Sequence, residues 1–156
     1  MTEDNPQAAS GEATQFNILR VYLKDVSFEA PNSPTIFVQE FKPQVDVEVT
    51  TSARRLDDNI YEVVLQISAS AKHEETTGFL VELEQAGIFH IQGYSSEQME
   101  PVLGSACPKA LFPFAREAVC DLVTKGGFPQ LLLAPVSFDQ LQQQKSAAEK
   151  KRVASE

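Results

Sequence analysis

The chain contains no run of eighteen apolar residues, so it offers no helix able to cross a bilayer. Its acidic start, M-T-E-D-N-P-Q-A-A-S-G-E, holds no apolar h-region of a secretory signal. The marks of common catalysts are missing too. There is no G-x-x-x-x-G-K-[ST] loop to cradle phosphates, no G-x-G-x-x-G after a strand, and no G-x-S-x-G nucleophile elbow. Histidine is scarce, with two in 156 residues. His73 opens an H-E-E turn that lacks the second His of a zinc-binding H-E-x-x-H, and His90 sits on a β-patterned segment with no Ser or Cys that spacing places beside it. Both read as packed or solvated. The two cysteines, Cys107 and Cys120, stand thirteen residues apart on one helical segment, too far for a disulfide and without C-x-x-C spacing. They read as buried thiols in a reducing compartment. Positive charge is short as well: thirteen basic against twenty-two acidic residues give a net charge of -9, which opposes nucleic-acid backbones and anionic membrane surfaces. The expectation is a soluble cytoplasmic protein with no metal, no cofactor and no catalytic residues, bound to no nucleic acid and not inserted into a membrane.

What is present is the pattern of one α+β domain, an antiparallel four-stranded sheet with helices on one face. A polar acidic tail occupies 1–13, the domain 14–144, and a flexible tail 145–156. That last stretch holds four basic against two acidic residues, which leaves the preceding chain at -11. Thr14 to Glu29 alternates as a first strand, apolar on both faces at its start, with Asp25, Ser27 and Glu29 polar at its end. A proline-rich connection from Ala30 to Pro43 carries Ile36, Phe37 and Phe41. Gln44 to Ser52 forms a second strand with Val45, Val47 and Val49 inward. Arg54 to Asn59 is expected to turn, and a third strand follows from Tyr61 to Ala71. Phe79, Val81 and Leu83 mark the inner face of a fourth, in which Gly87 is expected to bend or bulge the far end. Ser95 or Ser96 caps a short helix.

Cys107 to Gly127 is the one strongly helical stretch, and it bears two apolar rows. Leu111, Phe114, Ala118 and Leu122 form one, and Phe112, Ala115, Val119 and Val123 the other. A sheet covers only one side of a helix, so the second row asks for a second cover, either the core of a thick domain or another subunit. Pro113 predicts a helix start or a kink, and Gly126 with Gly127 a left-handed stop. Phe128 to Val136 reads as an extended apolar crossing, and Ser137 with Gln140 as a capping box for a last helix from Phe138 whose apolar face, Phe138 and Leu141, soon fades.

Two features point to binding. Leu80 stands on an outer strand parity otherwise acidic through Glu82 and Glu84, and Asp25 and Glu29 are acidic on theirs, which suits an apolar anchor facing a basic partner. Ile36 and the loop aromatics with Phe138 and Leu141 suit either closure of the core or a groove for extended peptides. A cavity for a small ligand between sheet and helices, as in a carrier or an enzyme, is the alternative.

The stretches Y-L-K-D-V-S-F-E-A-P-N (Tyr22 to Asn32), Y-E-V-V-L (Tyr61 to Leu65), G-I-F (Gly87 to Phe89), L-F-P-F-A-R-E (Leu111 to Glu117) and F-P-Q-L-L-L-A-P-V-S-F-D (Phe128 to Asp139) closely resemble SecB, the bacterial protein-export chaperone family. The resemblance implies a homotetramer, a dimer of dimers, that binds unfolded precursor polypeptides without ATP and hands them to the motor SecA. Carried over by position, Asp25, Glu29, Leu80 and Glu82 match the SecA-docking surface. Phe37, Phe41, Phe138 and Leu141 match the client-binding region, to which the loop reading adds Ile36. The resemblance also implies that the long helix lies at the subunit interfaces, and the two-row reading assigns Phe114, Ala118 and Leu122 to the oligomer interface with Val81 and Leu83 as its inner-face support. Position 41 is Phe where family members often carry Trp, and after Leu141 the chain turns polar and basic where relatives often stay apolar and end acidic.

Overall fold

The computed structural model describes residues 13–154, so the acidic N-terminal tail expected over 1–13 lies outside the described residues apart from Ala13. Strands β1 (Gln15–Glu29), β2 (Gln44–Asp57), β3 (Ile60–His73) and β4 (Thr76–Gln92) form one antiparallel sheet in the order β1-β4-β3-β2. Helix α1 (Ser96–Pro101) passes through a π-helical turn, Val102–Ala106, into α2 (Cys107–Lys125), and α3 (Phe138–Ala154) comes last. This is the α+β arrangement that the alternation predicts.

The two central strands follow their period of two closely. Val63, Leu65, Ile67, Ala69 and Ala71 on β3, with Phe79, Val81 and Leu83 on β4, are buried on the face that α2 covers. Edge strand β1 departs from simple alternation. Its register against β4 shifts at Leu19 and again at Lys24, where one extra residue enters β1. Each bulge reverses the parity, so Phe16, Ile18, Val21, Leu23, Val26 and Phe28 all pair with helix-face positions of β4. The start of β1 that reads as apolar on both faces is therefore apolar on one. The opposite edge, β2, runs five residues past Ser52. Arg54, expected in a turn, instead sits opposite Glu62 and bonds its carboxylate at 3.0 Å, and the turn shrinks to Asp58 and Asn59, the latter at φ 59°.

Gly87 has a different role from the one expected. β4 runs through it without a bulge, but a Cβ there would stand 2.8 Å from Leu111 Cδ2 and 2.9 Å from Phe89 Cε2. The missing side chain is the space that α2 occupies. Over this gap α2 buries Leu111, Ala115, Ala118, Val119 and Val123, a stripe that takes members from both predicted rows. Pro113 neither starts nor ends α2; it lies exposed inside it, where it forgoes the amide bond to the carbonyl four residues back. The helix stops in a Schellman motif: Phe128 N–H bonds Val123 C=O, Gly127 N–H bonds Thr124 C=O, and Gly127 takes φ 89°. Cys107 is buried, which pushes its thiol up to about 12, whereas Cys120 is only half-buried on the other side of the helix.

Ser137 caps α3, its Oγ accepting from Gln140 N–H at 3.4 Å, which is the Ser137 half of the predicted capping box. The hydroxyl of Ser105 donates to Asp139, and that bond, followed by the Lys109 charge, holds the Asp139 carboxyl below its usual range. The helix continues to Ala154, so the basic stretch expected as a tail is helical as far as it is described.

On the sheet face away from α2, Glu62 is buried beneath donors from both edges. Tyr22 donates its hydroxyl to Oε2, passing over the small Ala86 of β4, while Lys24 and Arg54 bond Oε1 at 2.9 and 3.0 Å. The Tyr22 bond, then Lys24 and Arg54, lower the Glu62 carboxyl below its usual range. Partial burial and the same bond push the Tyr22 hydroxyl up to about 12. A carboxylate held low stabilises the fold fully above its unfolded pKa, and that contribution is lost as pH falls through the folded value. We therefore expect Glu62→Gln to cost about 1–3 kcal/mol at neutral pH by urea unfolding. It should also remove the part of the acid destabilisation that begins below about pH 4.5. Equal urea midpoints for the two proteins at pH 7 would contradict the bracing role.

Candidate functional site

The outer sheet face is assembled by register. Asp25 lies opposite Glu84, Ser27 opposite Glu82 and Glu29 opposite Leu80. On the other side of β4, Gln66, Ser68 and Ser70 of β3 pair with the same three residues, and Glu48 and Asp46 of β2 pair with Ser68 and Ser70. Directly opposed residues share a face. Asp25, Glu29, Leu80 and Glu82 are thus brought into one patch, with Leu80 36% exposed among them. Glu84, Asp46 and Glu48 complete it. Their outward parity is readable from the sequence, but only the strand order places them beside the others. Lys24, the nearest basic residue in sequence, is spent on Glu62.

The connection between β1 and β2 builds a second surface. Its 3-10 turn, Thr35–Val38, sends Ile36 inward and leaves Phe37 48% exposed. The rings of Phe37 and Phe41 meet Phe128 at 5.2 and 5.9 Å between centroids; Phe128 meets Phe79 at 5.1 Å, and Phe79 stacks on Phe28 at 6.3 Å. An aromatic cluster thus joins the loop, both strands of the β1/β4 pair and the segment after α2. Phe128 and Phe28 were not among the predicted site residues.

Two predicted client-binding residues have no surface to offer. Ile36 is buried under the loop, and Phe138 is buried against Phe112 at 5.9 Å, because the 3-10 turn and the α3 cap both direct these side chains into the core. Leu141 is exposed but stands elsewhere, in a cleft of about 460 Å³ between β2 (Val49 to Ala53), the π-helical turn (Leu103, Gly104) and α3 (Leu141, Lys145). Phe41 adjoins the start of β2, and the cleft lies about seven residues further along it, roughly 24 Å away.

The predicted interface residues divide in the same way. Val81 and Leu83, on the inner parity of β4, are sealed beneath α2, and Ala118 is buried on the same side. Any part these three have in assembly is indirect. Phe114 is 50% exposed and Leu122 half-buried on α2, next to a shallow cleft of about 430 Å³ lined by Pro113, Cys120 and Leu132 among others.

Among the described residues, no group of three or more His, Cys, Asp and Glu side chains is placed to hold a metal ion, and no helix is long and apolar enough to cross a membrane. An open sheet with helices on one side, a charged patch on the other and an aromatic loop at one end defines a binding module. Residues 9–149 match the family described as preprotein translocase subunit SecB. The chain is 51% identical over 149 residues to the protein-export protein SecB of Halorhodospira halophila, covering 92% of this chain and 86% of that protein. It is 52% identical over 157 residues to that of Nitrosococcus oceani, covering 95% and 96%. A solved SecB-like chaperone of Mycobacterium tuberculosis, in complex with a ChAD peptide from an antitoxin, shares the fold with a TM-score of 0.64 at 18% identity over 78% of this chain and 91% of that one. The chain belongs to the SecB family.

The division of the apolar residues is open to test. Leu83→Asp should place an uncompensated charge in the core at a cost of several kcal/mol, so the chain should lose its folded circular-dichroism signal or aggregate. Phe114→Asp should keep the chain's secondary structure. A folded Leu83→Asp chain that merely changes its assembly would put Leu83 on a surface and contradict the packing.

Proposed function

We propose that this protein holds unfolded precursor polypeptides for export without ATP and delivers them to SecA, acting in the cytoplasm as a homotetramer built as a dimer of dimers. The observation that carries the reading is the register of β1 on β4, which gathers Asp25, Glu29, Leu80, Glu82 and Glu84 on the sheet face opposite α2. Carboxylates steer and orient a basic partner while a desolvated Leu80 anchors it. SecA docks there. Clients are held on the other surface, where Phe37 and Phe41 sit over the Phe128 floor and the cleft runs along edge strand β2, whose outward backbone suits an extended peptide. Repetition of shallow apolar contacts over four subunits raises the effective concentration and gives tight capture without a sequence-specific pocket. Assembly draws on the outward apolar residues of α2, Phe114 and Leu122.

A single set of titrations tests both surfaces. Asp25→Asn with Glu29→Gln, or Leu80→Arg alone, should weaken SecA binding about tenfold or more, equal to about 1.4 kcal/mol. Affinity for an unfolded client should be unchanged. Phe37→Ser with Phe41→Ser should do the reverse. The SecA titration of the unmodified protein should weaken with rising salt, because exposed charges are screened over about 10 Å at 0.1 M. Equal loss of both affinities in either variant would mean that the substitution damages the fold, and full SecA affinity in Leu80→Arg would move docking off this face.

A further inference from the structure

The loop that carries Phe37 and Phe41 is tied at both ends to the strand ends of β3 and β4 that flank their turn. Near its start, Asn32 Nδ2 donates to Thr77 C=O at 2.8 Å. At its end, Lys42 backbone N–H donates to His73 Nδ1 at 3.0 Å, and the same nitrogen lies 3.0 Å from Lys42 C=O. An unprotonated Nδ1 accepts from the amide, and a protonated one donates to the carbonyl, so the ring can hold Lys42 in either state. Between these ties, Phe41 lies over Gly78. A Cβ on Gly78 would collide with Cζ of Phe41 and stand 3.0 Å from Cε1 and Cε2, and no other atoms are as near. The Phe41 ring also faces His73 at 6.3 Å between centroids.

From this geometry we propose that His73 and Gly78 are positioning residues for client capture. Gly78 leaves the seat that the Phe41 ring fills, and His73 pins the backbone of the next residue so that the ring stays in that seat. Neither residue need touch a client. The proposal rests on the reading of the loop as the client surface. It adds that the depth at which Phe41 sits is set by the β3–β4 turn rather than by the loop, which has few bonds of its own. The loop's backbone bonds, those of the 3-10 turn Thr35–Val38 together with Ser33 to Ala30, Ile36 to Asn32 and Phe37 to Pro34, all lie before Phe41 among the described residues. The second half of the loop therefore relies on the turn.

The test compares Gly78→Ala, His73→Ala and His73→Asn in the full-length protein. The first readout is hydrogen exchange at the Lys42 amide, and the second is affinity for reduced, alkylated α-lactalbumin, a polypeptide that cannot refold. His73→Ala should speed exchange at Lys42 at least about tenfold, while His73→Asn, which offers a side-chain oxygen near the place of Nδ1, should retain most of the protection. Gly78→Ala should displace the ring and weaken client binding about five- to tenfold with the unfolding midpoint nearly unchanged. The same substitution made together with Phe41→Ser should have no further effect on client binding, since there is then no ring to displace. Unchanged Lys42 exchange in His73→Ala, or full client affinity in Gly78→Ala, overturns the proposal. If Phe37→Ser with Phe41→Ser also leaves client binding intact, it is the client reading of the loop that fails; if that double variant weakens binding while Gly78→Ala does not, only the positioning role fails.

Discussion

The structure depends on α2 lying close against the middle of the sheet. That approach requires a residue without a side chain at Gly87, where Leu111 enters, and small residues at Ala115 and Ala118 along the contact. Burying residues such as Leu65, Val81, Leu83 and Leu111 there contributes roughly 1.5–3 kcal/mol for each large side chain. The consequences extend outward. With one face committed to α2, the other face of the same strands is free to be polar, and each outward position alternates with an inward one that holds it in place. Leu80 is fixed because Phe79 and Val81 on either side of it are buried.

The polar face is itself divided. Toward one end the charges are paired, since Glu62 takes the hydroxyl of Tyr22 and the cations of Lys24 and Arg54. Toward the other, Asp25, Glu29, Glu82 and Glu84 gather around Leu80, and no ion pair engages them among the described residues. The bulge at Lys24 produces the division, because it turns Tyr22 and Asp25 to the same side although their spacing in a regular strand would oppose them. A single extra residue thus keeps Val26 and Phe28 on the same helix-facing side as Val21 and Leu23 and aligns both polar groups on the other.

Much of this was legible in the sequence, and the exceptions share a cause. The four strands, the Schellman stop, the cap at Ser137 and the acidic parity around Leu80 follow from local periodicity and turn chemistry, as does the resemblance carried by five sequence blocks. The β1 bulges were not legible, because a bulge is defined by the partner strand and leaves the sequence looking apolar on both sides. Gly87 read as a bend for the same reason: the atom that excludes its side chain, Leu111 Cδ2, is supplied by a distant helix. Ile36 and Phe138 read as exposed aromatics and aliphatics of a groove because only tertiary packing tells an inward Phe from an outward one. Nor did the sequence reveal that Phe128 forms the floor under Phe37 and Phe41 or that Gly78 leaves the seat of Phe41.

The central claim is that one sheet carries two independent surfaces, an acidic face for the motor and an aromatic loop with its groove for the client. The most direct measurement is the affinity of SecA for the protein already saturated with a permanently unfolded polypeptide. The account predicts a three-component complex and a SecA affinity within about twofold of that for the free protein, since ligands on separate faces without mutual coupling bind independently. Competition, with the client driving SecA off in proportion to its own occupancy, would show that the two share one surface and would contradict the account.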